Sequence, residues 1–330
     1  MNKFISSKKI VLSAIGLLVG VASIGSVAHA VDLLASIEPE NGTLQNPAKV
    51  ITDTTASGGK AVQFGVATTT TPPPTTPPTP PPSTPPSTGS YKKLTPGTAW
   101  QWQLTGTINE TILDGVNNSK KMYDIDVYDT PAPTITRLKA KGITVICYFS
   151  AGSAENWRPD YSKFPASVMG KGLDGWAGEK WLDVRQLDVL RPIMGARMDM
   201  AKDKGCDGLE PDNVDAYTNS TGFPLTAAHQ AAYNRMLAQE GHKRNLSVGL
   251  KNDVDQIATL VNDFDWALNE QCYQYNECDG YKVFIQQGKA VFGVEYSLDV
   301  SKFCSKANTA NYDWLKKSLN LGATPRTSCR

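Results

Sequence analysis

The sequence predicts an α/β protein of the (β/α)₈, TIM-like class over residues 91–330, and three observations carry the prediction. Short apolar runs alternate with helical patterns along the whole stretch. The alternation recurs about eight times, which favours closure of a parallel sheet into a barrel. The 240 residues involved are a comfortable size for that fold. An open doubly wound sheet is the alternative, but its dinucleotide-binding form needs a G-x-G-x-x-G turn that the chain lacks.

The chain has 330 residues and a net charge of +1, with acids and bases in balance from Tyr91 onward. That balance gives no support for a nucleic-acid partner. Lys3, Lys8 and Lys9 precede an apolar run over 10–21 and an Ala28-His29-Ala30 cleavage pattern, so residues 1–30 read as a signal peptide of a secreted protein. An uncleaved anchor is disfavoured because the run falls short of the ~20 residues that span a bilayer. Residues 68–90 are a Pro/Thr/Ser tract, expected to form an extended polyproline spacer. Between leader and spacer, 31–67 is too short to fold alone as a β-sandwich.

Within 91–330 the predicted barrel strands are 100–104, 122–126, 144–149, 181–184, 207–210, 247–251, 266–269 and 290–295, the fourth carrying the weakest pattern. The clearest predicted helices are 134–141, 192–204 and 226–243. Export makes the six cysteines candidates for disulfides. Cys272 and Cys278 enclose a short loop, and Cys304 and Cys329 are placed to tie down the C-terminal tail. Cys147 and Cys206 lie in apolar, strand-like settings that suit a third bridge or two free thiols equally.

Asp207, Glu210, Asp212 and Asp215 put four carboxylates in nine residues. On a strand, period-two geometry turns Glu210 and Asp212 to one face, where like charge and burial drive their proton affinities apart. Such pairs are what acid/base work on sugars requires. Active sites of barrels form at the C-terminal ends of the strands. Those ends carry Asp124 and Asp126, Ser150 to Ser153 with Glu155, Asp183, Glu210 and Asp212, Lys251-Asn252-Asp253, Glu270 and Glu295. Some of these acids are expected only to cap the following helices, Asp253 and Asp129 above all.

Glu270 follows the apolar run Trp266-Ala267-Leu268 and precedes Cys272, so it is expected to be rigid, partly buried and able to donate a proton, with Asp212 opposite it. Histidine chemistry is disfavoured, since His229 and His242 fall on a predicted helix and are expected at its surface. Ser150-Ala151-Gly152-Ser153 lacks a nucleophile-elbow pattern. No C-x-x-C motif suggests a metal site, and no cofactor is expected. Tyr148 and Trp266 are expected in the core, whereas Trp157, Trp176 and Tyr217 sit in polar loops where a sugar ring can stack.

Long motifs then resemble one family. Tyr123-Asp124-Ile125-Asp126, the run from Val145 to Asp160, Trp181 to Arg185, Gly205 to Tyr217, Gly249 to Asp253, Asn269-Glu270-Gln271-Cys272 and Val294-Glu295-Tyr296 look like glycoside hydrolase family 114, in order and over nearly all of 91–330. The resemblance implies a TIM-like barrel and endo-hydrolysis of α-1,4-linked galactosamine polymers without a metal. It implies that Asp212, in Glu-Pro-Asp-Asn, and Glu270, in Asn-Glu-Gln-Cys, are the catalytic carboxylates. Expected substrate contacts within the matching motifs are Tyr148, Ser150, Glu155, Trp157, Arg158, Asn213, Tyr217, Lys251, Asn252 and Tyr296. Asp124, Asp126, Asp160, Glu210 and Glu295 are expected to meet ammonium groups of a cationic amino-sugar polysaccharide, with Asp126 or Glu210 tuning the catalytic pair. The segment 31–67 resembles the opening strands of family 35 carbohydrate-binding modules, truncated.

The expected protein is a secreted, cell-wall-associated or free monomer with no membrane contact once its leader is removed. Two other readings remain open: a wall-associated protein that binds amino-sugar polymers without cleaving them, and a glycosidase acting on a different amino-sugar polymer.

Overall fold

The computed structural model describes residues 48–52, 60–64 and 91–330. Residues expected to form the leader and the proline spacer lie outside that set, as does most of the carbohydrate-module-like segment. The chain divides into two units. In the smaller, β1 (Ala48–Thr52) and β2 (Lys60–Phe64) pair antiparallel, with Ala48 opposite Phe64.

The larger unit is a TIM-like barrel. Its parallel strands are β3 (Ala99–Gln103), β4 (Lys121–Asp126), β5 (Thr144–Ser150), β9 (Gly208–Asp212), β10 (Ser247–Lys251), β11 (Trp266–Glu270), β12 (Val291–Glu295) and β13 (Asp313–Lys317), with β14 (Arg326–Ser328) antiparallel on β13. No ladder joins β3 to β13 among the described residues; side chains span the seam instead. Trp100 Nε1 donates to the Asp313 carbonyl at 2.9 Å, Asp313 Oδ2 accepts from Gly97 N at 3.0 Å, and Arg326 Nη2 donates to the Trp100 carbonyl at 2.7 Å.

Period two sorts the strand residues. Trp100, Trp102, Met122, Ile146, Tyr148, Trp266, Leu268, Phe292, Val294 and Leu315 fill the barrel interior. The alternate set, including Tyr123, Val145, Cys147, Leu209, Val248, Ala267 and Val291, packs against the helices. Of these, α1 (Ala132–Ala140), α2 (Leu187–Lys204) and α3 (Ala227–Lys243) are the longest; α4 (Ile257–Leu260), α5 (Cys272–Tyr275), α6 (Lys282–Gln286) and α7 (Cys304–Thr309) are short. α2 begins five residues before the predicted start at Pro192, whose missing N–H costs only one bond near the helix N-terminus.

The predicted strand at 181–184 is not a barrel strand. Trp181 and Leu182 end β8 (Trp176–Leu182), which with β6 (Ser153–Glu155) and β7 (Met169–Leu173) forms a separate antiparallel sheet inserted between β5 and α2. The eighth barrel strand is β13, which the sequence reading passed over. All six cysteines pair, as Cys147–Cys206, Cys272–Cys278 and Cys304–Cys329.

Three smaller expectations are corrected. Asp129 caps nothing, since Pro131 stands at the N-cap of α1. Asp253 makes no side-chain cap bond; its Oδ2 accepts from Asn234 Nδ2 at 2.8 Å. His242 is buried on α3, where Nε2 lies 2.8 Å from Asp265 and the ring stacks on Tyr91. His229 closes a capping box with Thr226.

Candidate active site

Asp212, Lys251 and Glu270 are the last residues of the adjacent strands β9, β10 and β11. All three have interior parity, so the strand register brings their side chains to one point at the C-terminal mouth. Lys251 Nζ lies 2.9 Å from Asp212 Oδ1, 3.1 Å from Glu210 Oε1 and 3.2 Å from Glu270 Oε2. One nitrogen thus fixes the gap between the two acids. Asp212 Oδ1 and Glu270 Oε2, both within 3.2 Å of that nitrogen, are therefore close neighbours.

Each of the three strands is followed directly by a residue with positive φ: Asn213 (61°), Asn252 (47°) and Gln271 (66°). Asn accepts that conformation readily, a glutamine at some strain. The reversal turns each chain away from the mouth and leaves the preceding carboxylate or ammonium at the rim. Asn252 then braces its neighbour strand, accepting from Glu270 N at 2.9 Å and donating to Glu270 Oε2 at 3.3 Å. Asn213 Nδ2 donates to Ser150 Oγ at 2.8 Å. Ala151 N and Gly152 N both donate to the Asp212 carbonyl, at 2.8 and 2.9 Å. A Cβ on Gly152 would stand 1.6 Å from the Asn213 carbonyl oxygen, so this tight approach requires glycine.

The two acids differ in their surroundings. Burial raises the Glu270 carboxyl to about 7, against the lowering effect of Lys251 and with a further push from Asp212. Tyr296 donates its hydroxyl to Glu270 Oε1. Asp212 accepts from Lys251 Nζ and, at 3.0 Å, from Tyr148 OH, two donors suited to an anion. Beneath them Glu210 is fully buried and accepts from Trp102 Nε1 at 2.9 Å. Burial first, and then the charge of Glu210, drives the Asp124 carboxyl well above the ordinary carboxylate range. Burial opposes the charge on Lys251, but Asp212, Glu210 and Glu270 together outweigh it and keep the ammonium protonated.

Above this cluster opens a cavity of about 520 Å³. Asp212, Glu270, Tyr148, Asn213, Tyr217, Lys251 and Asn252 line it, all singled out in the sequence. Trp176 and Trp181 of the inserted sheet and Tyr275 add aromatic surface, while Asp174, Glu179, Asp215, Asp253, Asp255 and Glu277 add carboxylates. Sequence reading missed most of these. Trp176 is the aromatic of this set that the sequence marks for a sugar ring; the acids and aromatics gathered over 174–181 are the signal for Asp174, Glu179 and Trp181 beside it.

Other expected contacts lie elsewhere. Asp126 and Glu155 pair with Arg158 at 2.5 and 3.1 Å, and Asp160 pairs with Arg197 at 2.8 Å. With Arg158 over the Tyr128 ring, they form a buried network outside the cavity lining, where each acid is paired with an arginine, Asp126 and Glu155 sharing Arg158, rather than left for a sugar amine. Trp157 is 49% exposed but does not line the cavity. Glu295 has exterior parity and accepts from Tyr273 N at 2.9 Å. Asp124, Glu210 and Ser150 lie beneath the floor, without exposure. Tyr296 reaches the site through Glu270.

Residues 82–330 match the sequence model of glycoside-hydrolase family GH114. Among solved structures, Aspergillus fumigatus Ega3 in complex with galactosamine is 43% identical, with a TM-score of 0.66 over 73% of this chain and 100% of that one. The glycoside hydrolase domain of PelA from Pseudomonas aeruginosa is 12% identical, with a TM-score of 0.55 over 71% of this chain and 98% of that one, a likeness of fold alone. An uncharacterised protein of Deinococcus radiodurans is 28% identical over 240 residues, 64% of this chain and 76% of the relative. With the match extending over the entire barrel and its paired acids, the chain belongs to glycoside-hydrolase family GH114.

Proposed function

We propose that this glycoside hydrolase is a secreted endo-enzyme that cleaves α-1,4-linked galactosamine-containing polysaccharide with retention of configuration, Glu270 serving as general acid and Asp212 as nucleophile. The observation that carries the reading is the shared contact of both acids with Lys251 Nζ, at 2.9 and 3.2 Å. A shared contact of this kind draws the two acids together and so supports the shorter spacing of a retaining pair, about 5–5.5 Å, over that of an inverting one. Glu270, raised to about 7, still holds a proton near neutrality and can pass it to the departing glycosidic oxygen. Asp212, held by two donors, attacks the anomeric carbon; water then releases the sugar with Glu270 as base.

The likeness to a structure that holds galactosamine favours an amino sugar. The cavity supplies matching chemistry. Asp174, Asp215, Asp253, Asp255 and Glu277 surround the carboxylate pair with further acids, which suit ammonium groups of a de-N-acetylated polymer. Trp176, Tyr217 and Tyr275 offer faces for the rings. A polymer without acetyl groups cannot assist its own cleavage, which accounts for two enzymic carboxylates.

Secretion is supported by the leader-like N-terminus and by three disulfides. No helix of the described residues is long and apolar enough to cross a membrane.

Incubating de-N-acetylated galactosaminan with wild type, Asp212→Asn and Glu270→Gln tests the assignment by reducing-end release. Equal release by all three would rule it out, and binding without any release would favour a non-catalytic role. Glucosamine polymers and acetylated galactosaminan, run in parallel, separate a different amino-sugar substrate from the proposed one.

A further inference from the structure

We propose that Lys251 is a positioning residue of the reaction centre: its buried ammonium, anchored from within the barrel by Glu210 and Trp102, sets the separation and orientation of Asp212 and Glu270 and does not itself bind the sugar. The inference rests on the roles given above to those two acids.

The side chain of Lys251 has no exposed surface, although its residue borders the cavity. An ammonium has three protons to donate, and three carboxylates stand within 3.2 Å of this one. The face of the Trp102 ring lies 4.9 Å from Nζ and that of Tyr148 lies 6.0 Å away. Glu210 is pinned in turn by the Trp102 indole N–H at 2.9 Å and has no exposure. It therefore acts on the ammonium and not on a ligand. A compact point charge suits the junction of three strands better than a planar guanidinium would.

The charge arithmetic points the same way. A lysine at the floor of a site for a cationic polymer would repel its substrate unless its charge were already compensated. Glu210, 3.1 Å from Nζ and wholly buried, supplies that compensation from below. Lys251 is then free to favour the ionised state of Asp212 while limiting how far burial raises Glu270. Groups acting on Glu270 are Lys251, Asp212, Tyr296 and Glu210, so substitutions of Lys251 and Glu210 have opposite expected signs.

The test is the pH profile of kcat for Lys251→Met, Lys251→Arg and Glu210→Gln on de-N-acetylated galactosaminan. Removing the cation moves the alkaline limb, where Glu270 loses its proton, to higher pH by ~1–3 pH units; removing the Glu210 anion moves it to lower pH. Lys251→Met also lowers kcat by ~100-fold with KM changed far less, as expected when positioning rather than binding is lost. Lys251→Arg, which keeps the charge, restores the position of the limb. Wild-type limbs in both Lys251→Met and Glu210→Gln, or a rise in KM at unchanged kcat, would overturn the proposal. Should Lys251→Met not fold, the sign of the Glu210→Gln displacement decides. If wild type turned over no substrate, the glycosidase reading would fail first. A ¹³C NMR titration of the Glu270 carboxyl in the same variants would still read the effect of Lys251 by itself.

Discussion

Tyr296, one residue beyond β12, donates its phenolic hydrogen to Oε1 of Glu270 at the end of β11. The bond favours the ionised carboxylate and so opposes the burial that raises Glu270. Tyr296→Phe removes that donor with little change of volume. Glu270 then keeps its proton to higher pH, and the alkaline limb of the kcat profile moves upward from near 7. The displacement should be smaller than that in Lys251→Met, because a neutral donor is replaced rather than a charge. A limb that stays in place would show that Tyr296 only packs against the acid.

The two carboxylates should fail in different ways. Glu270→Gln removes the proton donor, so cleavage of the polymer falls by ~10²–10⁴-fold, while an aryl glycoside whose leaving group needs no proton retains much of its rate. Asp212→Asn removes the nucleophile and loses both substrates. Proton NMR of the first-formed product should show the α-anomer, as retention requires. Initial β-anomer would mean that water attacks directly, and the close spacing set by Lys251 would then need another explanation.

How much of this was legible before the structure depends on where each polar group finds its partner. The strands that carry the acid pair were readable because parity sets Glu210 and Asp212 on one face, whereas Glu295, expected at the mouth, has the opposite parity and points outward. Strand β13, Asp-Trp-Leu-Lys-Lys, reads as too polar for a barrel interior. Its Asp313 accepts from Gly97, Thr98 and Arg330, and the Nζ of Lys317 donates to Gln101 and to the Gly322 carbonyl. Gly97, Thr98 and Gln101 come within reach only when the first and last strands close the ring. Strand β8 gave the opposite error, since its apolar residues cover the cavity wall instead of a barrel core. Likewise Asp126 and Asp160 looked like ligands for a cation because their partners, Arg158 and Arg197, stand 32 and 37 residues further along the chain.

Gly249 and Gly293 sit opposite tryptophans on the neighbouring strands, Trp266 and Trp314 respectively. A Cβ at Gly293 would lie 2.0 Å from the Trp314 ring, and one at Gly249 would lie 2.5 Å from Trp266. Neither ring can yield within a closed, packed layer. Gly293→Ala and Gly249→Ala should each cost about 3 kcal/mol or more in denaturant unfolding. Gly172→Ala, where the nearest atom is at 3.6 Å on the exposed inserted sheet, is the control and should stay within ~0.5 kcal/mol. Equal stability of all three would show that the barrel relaxes more freely than its packing implies.

The disulfides divide between stability and function. Cys147–Cys206 joins residues 59 apart in sequence and ties β5 to the turn before β9, whereas Cys272–Cys278 closes only six residues. On the chain-entropy account the first is worth about 4 kcal/mol and the second about 2. Replacing both cysteines by alanine should therefore lower Tm more at 147 and 206 than at 272 and 278. Activity should follow the reverse order. Cys272 N donates to Asn269 Oδ1 at 2.8 Å, and its disulfide holds the turn directly after Glu270. At a temperature where both variants stay folded, the loss of Cys272–Cys278 should reduce kcat and leave the Cys147–Cys206 variant near wild type. Calorimetry with paired rate measurements checks this. If kcat were lost equally in the two, the short loop would have no special hold on the acid.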